Sequence, residues 1–221
     1  MHEAGFGNIG YTIKNNREDN FSMINDPSID IDLVNGLPLE DFLRLSQIHP
    51  FELIKGRRID KVSSVFIHSE IIQKIFILLY TYLTQHQLGR VYQETTYTLS
   101  DTTHPNWVTG SRIPDVMVYT QARFASYIAN TPDYQTKPFT IVPDLIIEVL
   151  SPNDLFLDVE AKIISDFDNG VKDVWLINPI HRIAWAYTVD NLSPQRFNSH
   201  GELTVPAILP NFRLKLSDLW G

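Results

Sequence analysis

The feature that most constrains this chain is a glutamate inside an apolar run. Residues 145–150 read Leu-Ile-Ile-Glu-Val-Leu, within the longer stretch FTIVPDLIIEVLS. Length and Ile/Val content read as a strand. A carboxylate inside a buried strand costs several kcal/mol unless it is paired or bound to metal, so Glu148 needs a partner. Asp115 raises the same question, because it opens the strand DVMVY directly behind Pro114. One such acid has an ordinary explanation, an ion pair with an arginine such as Arg112. Two acids at the ends of neighbouring candidate strands point instead to a shared site. The two carboxylates are then expected close enough to share one cation. Without that cation they repel, and at least one should have a raised pKa.

Hard oxygen ligands of this kind favour Mg²⁺, with Mn²⁺ as a substitute, held by one or two carboxylates, waters and substrate phosphate. Such an ion polarises a phosphoryl oxygen and activates water. A cation beside the transition-state charge completes the chemistry, and Lys162 is the candidate. It lies on the helix expected after the Glu148 strand. A competing reading treats Asp158 and Lys162, spaced i and i+4, as a surface ion pair.

The remaining pattern alternates strands and helices. LEDFLRL reads as a short helix, and FELIKGRRID as a strand turning at Gly56. Ser69 can cap a long helix whose stripe is Ile71, Ile72, Ile75, Leu78, Leu79 and Tyr82, with Gly89 as its C-terminal stop. RVYQETTYTLS reads as a strand, and THPNWVTGSR as a loop leading into IPDVMVYT. The stretch 127–137 reads as a loop, and 153–169 as a helix stopped by Gly170. VKDVWLINP and RIAWAYTV read as strands around a turn at Pro179. The tail reads as a strand broken by proline and a closing short helix. The expected fold is α/β with a mixed central sheet flanked by helices. Residues 1–35 read as a polar N-terminal extension and 36–221 as the folded domain.

Composition removes several function classes. The chain has no cysteine, which excludes disulfides, thiolate nucleophiles and Cys-ligated zinc. Its His residues show no H-E-x-x-H spacing, and no G-x-S-x-G elbow is present. The GFGNIG stretch follows no strand, so a dinucleotide reading fails its context test. No secretory h-region or membrane-length apolar run is visible, and a cytoplasmic location is expected. Net charge is −8. That counts against a broad basic clamp for nucleic acid, but leaves room for a nuclease whose metal ion carries the local positive charge.

The order of the motifs carries a family resemblance. Pro114-Asp115 is followed by Glu148-Val149-Leu150-Ser151-Pro152, then Asp158 and Lys162, then Gly170-Val171, then Val174-Trp175-Leu176-Ile177-Asn178-Pro179. Upstream lie Phe51-Glu52-Leu53-Ile54 with Gly56, and His68; downstream lies Leu209-Pro210-Asn211-Phe212. Over about residues 38–220 this resembles the Uma-two family of restriction endonucleases, in the PD-(D/E)XK nuclease superfamily. The resemblance implies a restriction-endonuclease-like core and hydrolysis of DNA phosphodiesters. Asp115, Glu148 and the Val149 carbonyl would hold the metal, and Lys162 would assist. In the usual superfamily motif a Lys stands two residues after the Glu; here that position is Leu150, and the resemblance moves the Lys to Lys162. Two further departures are Asp166, where members often carry Tyr, and Leu155-Phe156-Leu157, where many carry basic residues.

Four residues stand as supporting candidates: Glu52, His68, Arg112 and Asp158. Against them stand an outward-facing Glu52 on an edge strand and a His68 that merely marks a helix start. DNA is the expected partner, and a homodimer would suit two-strand cutting. Two rival readings remain: a catalytically inactive nuclease-like binding or assembly module, and a hydrolase of another phosphate ester.

Overall fold

The computed structural model describes residues 35–61, 65–101 and 104–220. The expected extension at 1–35 lies outside them, Asn35 excepted. The elements run β1 (Leu37–Pro38), α1 (Leu39–Ile48), β2 (Phe51–Ile54), β3 (Arg57–Asp60), α2 (Phe66–His86), β4 (Gly89–Gln93), β5 (Tyr97–Asp101) and β6 (His104–Arg112). They continue with β7 (Val116–Thr120), α3 (Gln121–Asn130), β8 (Leu145–Val149), α4 (Phe156–Asp168), β9 (Asp173–Asn178), β10 (Ile183–Thr188) and β11 (Asn191–Phe197). A small pair, β12 (Glu202–Leu203) and β13 (Leu214–Lys215), precedes a closing 3₁₀ turn at Leu216–Asp218.

The central sheet is mixed, in the order β11-β10-β9-β8-β7-β4. Its parallel pair, β8 with β9, is joined by α4 as a βαβ crossover. The period of two sorts its strands onto two faces. Val116, Val118, Leu145, Ile147 and Trp175 pack under α2 and the C-terminal segment. Met117, Tyr119, Ile146, Val174 and Leu176 pack under α3 and α4. Glu148 falls in phase with Ile146, on the α4 face. β7 and β8 are antiparallel with Val116 opposite Ile147. Continuing that register sets Asp115 across from Glu148, at cross-strand neighbour distance.

A second sheet holds β1, β6, β2 and β3, with β5 on β6. Its β2–β3 hairpin turns on Lys55 and Gly56, both with positive φ, the backbone a two-residue hairpin needs. The hairpin was legible at Gly56.

Several readings are corrected. The stretch expected as a loop at THPNWVTGSR is the nine-residue β6. Turn-type residues suggested otherwise, but β6 pairs with β1, β2 and β5, and tertiary pairing overrides local propensity. RVYQETTYTLS is two strands in different sheets, broken at Glu94, whose φ is positive. Residues 127–130, expected as loop, finish α3, whose buried Phe124 and Tyr127 join an aromatic cluster with Phe139. The long helix begins at Phe66, so Ser69 lies inside it and makes no cap; Val65 holds the cap position. It ends at Gln87, which takes the left-handed conformation, not at Gly89. In its stripe Leu78 is exposed and Leu83 is buried instead.

Gly89 has a different task. A Cβ there would sit on the Tyr119 carbonyl of β7. The clash is with backbone, which has little room to yield. Gly89→Ala should therefore destabilise by about 1–3 kcal/mol, the usual cost of overpacking, with a lower urea midpoint as the readout.

Candidate active site

The second sheet and the central sheet meet at one buried guanidinium. Arg112 ends β6 and is 1% exposed. Its Nε and Nη2 donate to the two oxygens of Asp166 on α4, each at 2.9 Å. Nη1 donates to Glu52 Oε1 on β2. Nη2 also donates to Glu148 Oε1 on β8, at 2.8 Å. Three buried acids from three elements thus share one cation, the arrangement that makes buried carboxylates tolerable. The ordinary explanation weighed for Glu148, a pair with Arg112, is present. It coexists with a cavity that Glu148 also lines.

Glu52 does not face outward. It is 1% exposed, accepts from the Ile113 N–H at 2.8 Å, and its Oε2 lies 2.6 Å from Lys162 Nζ. Lys162 therefore turns back from α4 toward the sheet. The surface pair with Asp158 does not form; Asp158 pairs with Arg57 across the hairpin, at 2.8 Å.

Asp115 has its own partners. Its Oδ2 accepts from the Val149 N–H at 2.8 Å and lies 3.2 Å from His68 Nε2. Its Oδ1 accepts from Lys61 Nζ at 3.0 Å. His68 sits in the first turn of α2 and is buried, so it is more than a boundary residue. Lys61 follows β3 and was not singled out from sequence, where nothing distinguishes it from a surface lysine beside Asp60. Asp166 was noted only as a departure. Its position one turn beyond Lys162 was the available signal, since it shares that helix face.

These groups surround a cavity of about 210 Å³, lined by Asp115, Glu148, Val149, Lys61, His68 and Lys162 among others. Asp154, Asp158 and Leu155 lie on its rim.

The two acids titrate apart. Burial and the Asp115 charge raise the Glu148 pKa to about 7, against the pull of Arg112, Lys162 and Lys61. Burial pushes Asp115 the same way, but the His68 hydrogen bond and the Lys61 charge outweigh it and hold it well below the usual range. Burial opposes protonation of Lys61 and His68. The facing acids, Asp115 above all, more than compensate and raise both. The expected repulsion is thus expressed at Glu148.

The donor set suits a hard divalent cation. Two carboxylates on opposed strand positions face one polar cavity with a backbone carbonyl position beside them. Among the described residues no three His, Cys, Asp or Glu side chains form a ligand cluster. A cation here would complete its shell with carbonyl, water or phosphate oxygens, as Mg²⁺ does. It would compete with Lys61 and His68 for Asp115.

Comparison with known proteins agrees with the fold. A family model described as "Uma2: Putative restriction endonuclease" matches residues 39–217. A solved structure described as a "putative nuclease belonging to DUF820" from Anabaena variabilis ATCC 29413 is 24% identical, with a TM-score of 0.67. The match covers 83% of this chain and 97% of that one. At that identity the likeness speaks for the fold. No curated protein matches. Among the described residues no helix is long and apolar enough to cross a membrane.

The Glu148 shift gives a pH test without metal. Its folded pKa lies above the unfolded value, near 4.3. Its contribution is therefore complete below about pH 4 and is lost as pH rises through about 7. Glu148→Gln removes that dependence. In EDTA, its stability relative to the wild type should be higher at pH 8 than at pH 5 in urea unfolding.

Proposed function

Because this chain belongs to the Uma2 family, whose model matches most of its length, we propose that it is a divalent-metal-dependent endonuclease hydrolysing DNA phosphodiester bonds. The observation that carries this reading is the convergence of Asp115, just before β7, Glu148 of β8 and Lys162 of α4 on one cavity. The catalytic domain would be residues 36–221.

Asp115, Glu148 and the Val149 carbonyl would hold Mg²⁺, or Mn²⁺ in its place. The ion would supply Lewis-acid polarisation of a phosphoryl oxygen. The protein's own groups do the rest. Arg112 fixes Glu148 and Glu52 from beneath, so that neither carboxylate moves when charge develops above it. Glu52 holds the Lys162 ammonium at the cavity wall, where it would meet the non-bridging oxygens of the phosphate. Glu148, with its raised pKa, can exchange a proton near neutral pH. Asp158 stays outside this set; its pairing with Arg57 ties α4 to the hairpin instead. A homodimer would place two such cavities on the two strands of a duplex, and a cytoplasmic setting gives access to DNA.

A second reading, an inactive nuclease-like binding module, draws on the Lys61–Asp115 ion pair, which already neutralises one metal ligand. A digest of plasmid and of single-stranded DNA with Mg²⁺ or Mn²⁺, against EDTA, separates the two. The nuclease reading expects metal-dependent cleavage of at least one of these DNAs; no cleavage of either DNA with either metal would leave the module.

Within that assay Lys162→Ala is the sharper probe. It leaves Glu52 Oε2 short of a partner, at a cost of about 1–3 kcal/mol, while Arg112 and the Ile113 N–H retain Oε1. At a temperature where circular dichroism shows the variant folded, cleavage should fall by about 10²- to 10³-fold, the scale of one lost preorganised electrostatic donor. Wild-type rates would mean the catalytic cation is another residue.

A further inference from the structure

Beside the catalytic cavity lies a larger groove of about 710 Å³, between the start of α4 and the β9–β10 strands. Leu150, Ser151, Asp154, Val159, Ile163 and Leu176 line both, so the two spaces adjoin. The first turn of α4 stands between them: Leu155 lines the cavity and Phe156 lines the groove. This is the Leu155-Phe156-Leu157 segment, and Phe156 is 77% exposed. A helix start burdened with three exposed apolar side chains is costly to keep solvated and marks a contact surface.

The groove's chemistry narrows its occupant. Phe156 and Ile180 are exposed at its mouth, and Trp185 and Tyr187 form part of its wall, on the α4 face of β10. Asn178 and His181 add polar groups at the strand end. Among its lining residues there is no Lys or Arg, and there are two acids, Asp154 and Glu160. A phosphate backbone would find no counter-charge there. The cations stand next door, where Lys61 and Lys162 line the catalytic cavity. Aromatic faces with a few hydrogen-bonding groups, and no fixed positive charge, suit bases without their phosphates. A base inside a duplex does not expose its faces, so such a surface can be used only by an unpaired strand. The net charge of −8 points the same way, because duplex affinity rests on neutralising phosphates.

We infer that this groove holds unpaired nucleobases adjoining the phosphate in the catalytic cavity, so that the preferred substrate is a single-stranded or locally unpaired DNA segment. The inference rests on the nuclease reading and adds to it a substrate class and a specificity residue, Phe156. Stacking on Phe156 would set the base next to the phosphate facing Lys162 and Glu148.

The test is binding of short fluorescein-labelled DNA, single-stranded and as a blunt duplex, to the full chain by anisotropy, with Ca²⁺ replacing Mg²⁺. The single strand should bind more tightly than its duplex. Phe156→Ala, a change at an exposed position, should weaken single-strand binding about five- to a hundredfold, the range for one lost stacking partner. Phe156→Tyr should retain it, and duplex binding should be indifferent to both. Single-strand affinity unchanged in Phe156→Ala overturns the inference. So does a sedimentation profile in which Phe156→Ala turns a dimer into a monomer, since the groove would then be covered by a second copy. If the duplex binds and Phe156 is irrelevant, this inference fails while the nuclease reading stands. If neither form of DNA binds, both fail together.

Discussion

The architecture depends on the burial of one guanidinium. Arg112 lies where β6 of the second sheet leaves for β7 of the central sheet, and its donors reach β2, β8 and α4. Placing that cation in the interior is costly unless carboxylates enclose it. Glu52, Glu148 and Asp166 do so, and each is buried against it. Removing Arg112 would leave Glu148 and Asp166 without their cation in a poorly solvated place, so the two sheets and the crossover helix are held in register by charge as well as by apolar packing. The site residues are carried on this frame: Glu148 is held directly, and Lys162 through Glu52.

A balance of charge follows. Around the cavity stand four carboxylates, Glu52, Asp115, Glu148 and Asp166, and three permanent cations, Lys61, Arg112 and Lys162. His68 stands beside them, drawn toward protonation by Asp115. A divalent ion entering this cluster adds charge that must leave by another route. Arg112 is locked, and Lys162 rests on Glu52. The contributions left to change are the proton on Glu148, whose pKa is pushed up to about 7, and the Lys61 side chain. A divalent ion bound here would thereby couple its occupancy to proton release.

How much of this was legible in the sequence depended on whether a residue broke a local pattern. Glu148 and Asp115 interrupt apolar strands, and the β7–β8 register explains why both stand out: they are opposed on one face. Glu52 and His68 were visible only as members of a motif order, because each sits in a segment where a polar residue is unremarkable. Lys61 broke no pattern at all. It acquires its place from the hairpin that carries it toward Asp115, a contact across 54 residues that local sequence does not encode. The error at β6 has the same origin. Its Pro, Asn, Gly and Ser residues have turn propensities, and what makes them a strand is pairing with three partners distant in sequence. The pairing of Arg112 with an acid was weighed from sequence, but misreading β6 hid its burial and its reach to Glu52 and Asp166, because a guanidinium at the end of a loop has no reason to be buried.

The acidic charge of the chain looked like the main objection to a nucleic-acid enzyme, and the structure changes its weight. Much of the excess lies outside the cluster, which is itself nearly balanced. Local positive charge is present at the cavity, in Lys61 and Lys162. Duplex DNA approaches over a broad front and gains affinity from many phosphates at once. A narrow cavity with two lysines on its wall offers few such contacts. An unpaired strand can compensate with its bases, which need apolar faces rather than cations. Beside this cavity stand Leu155, Phe156 and Leu157, all exposed. Apolar side chains there give a phosphate backbone nothing to pair with and furnish an apolar surface at the cavity's edge, and both effects follow from the same three residues.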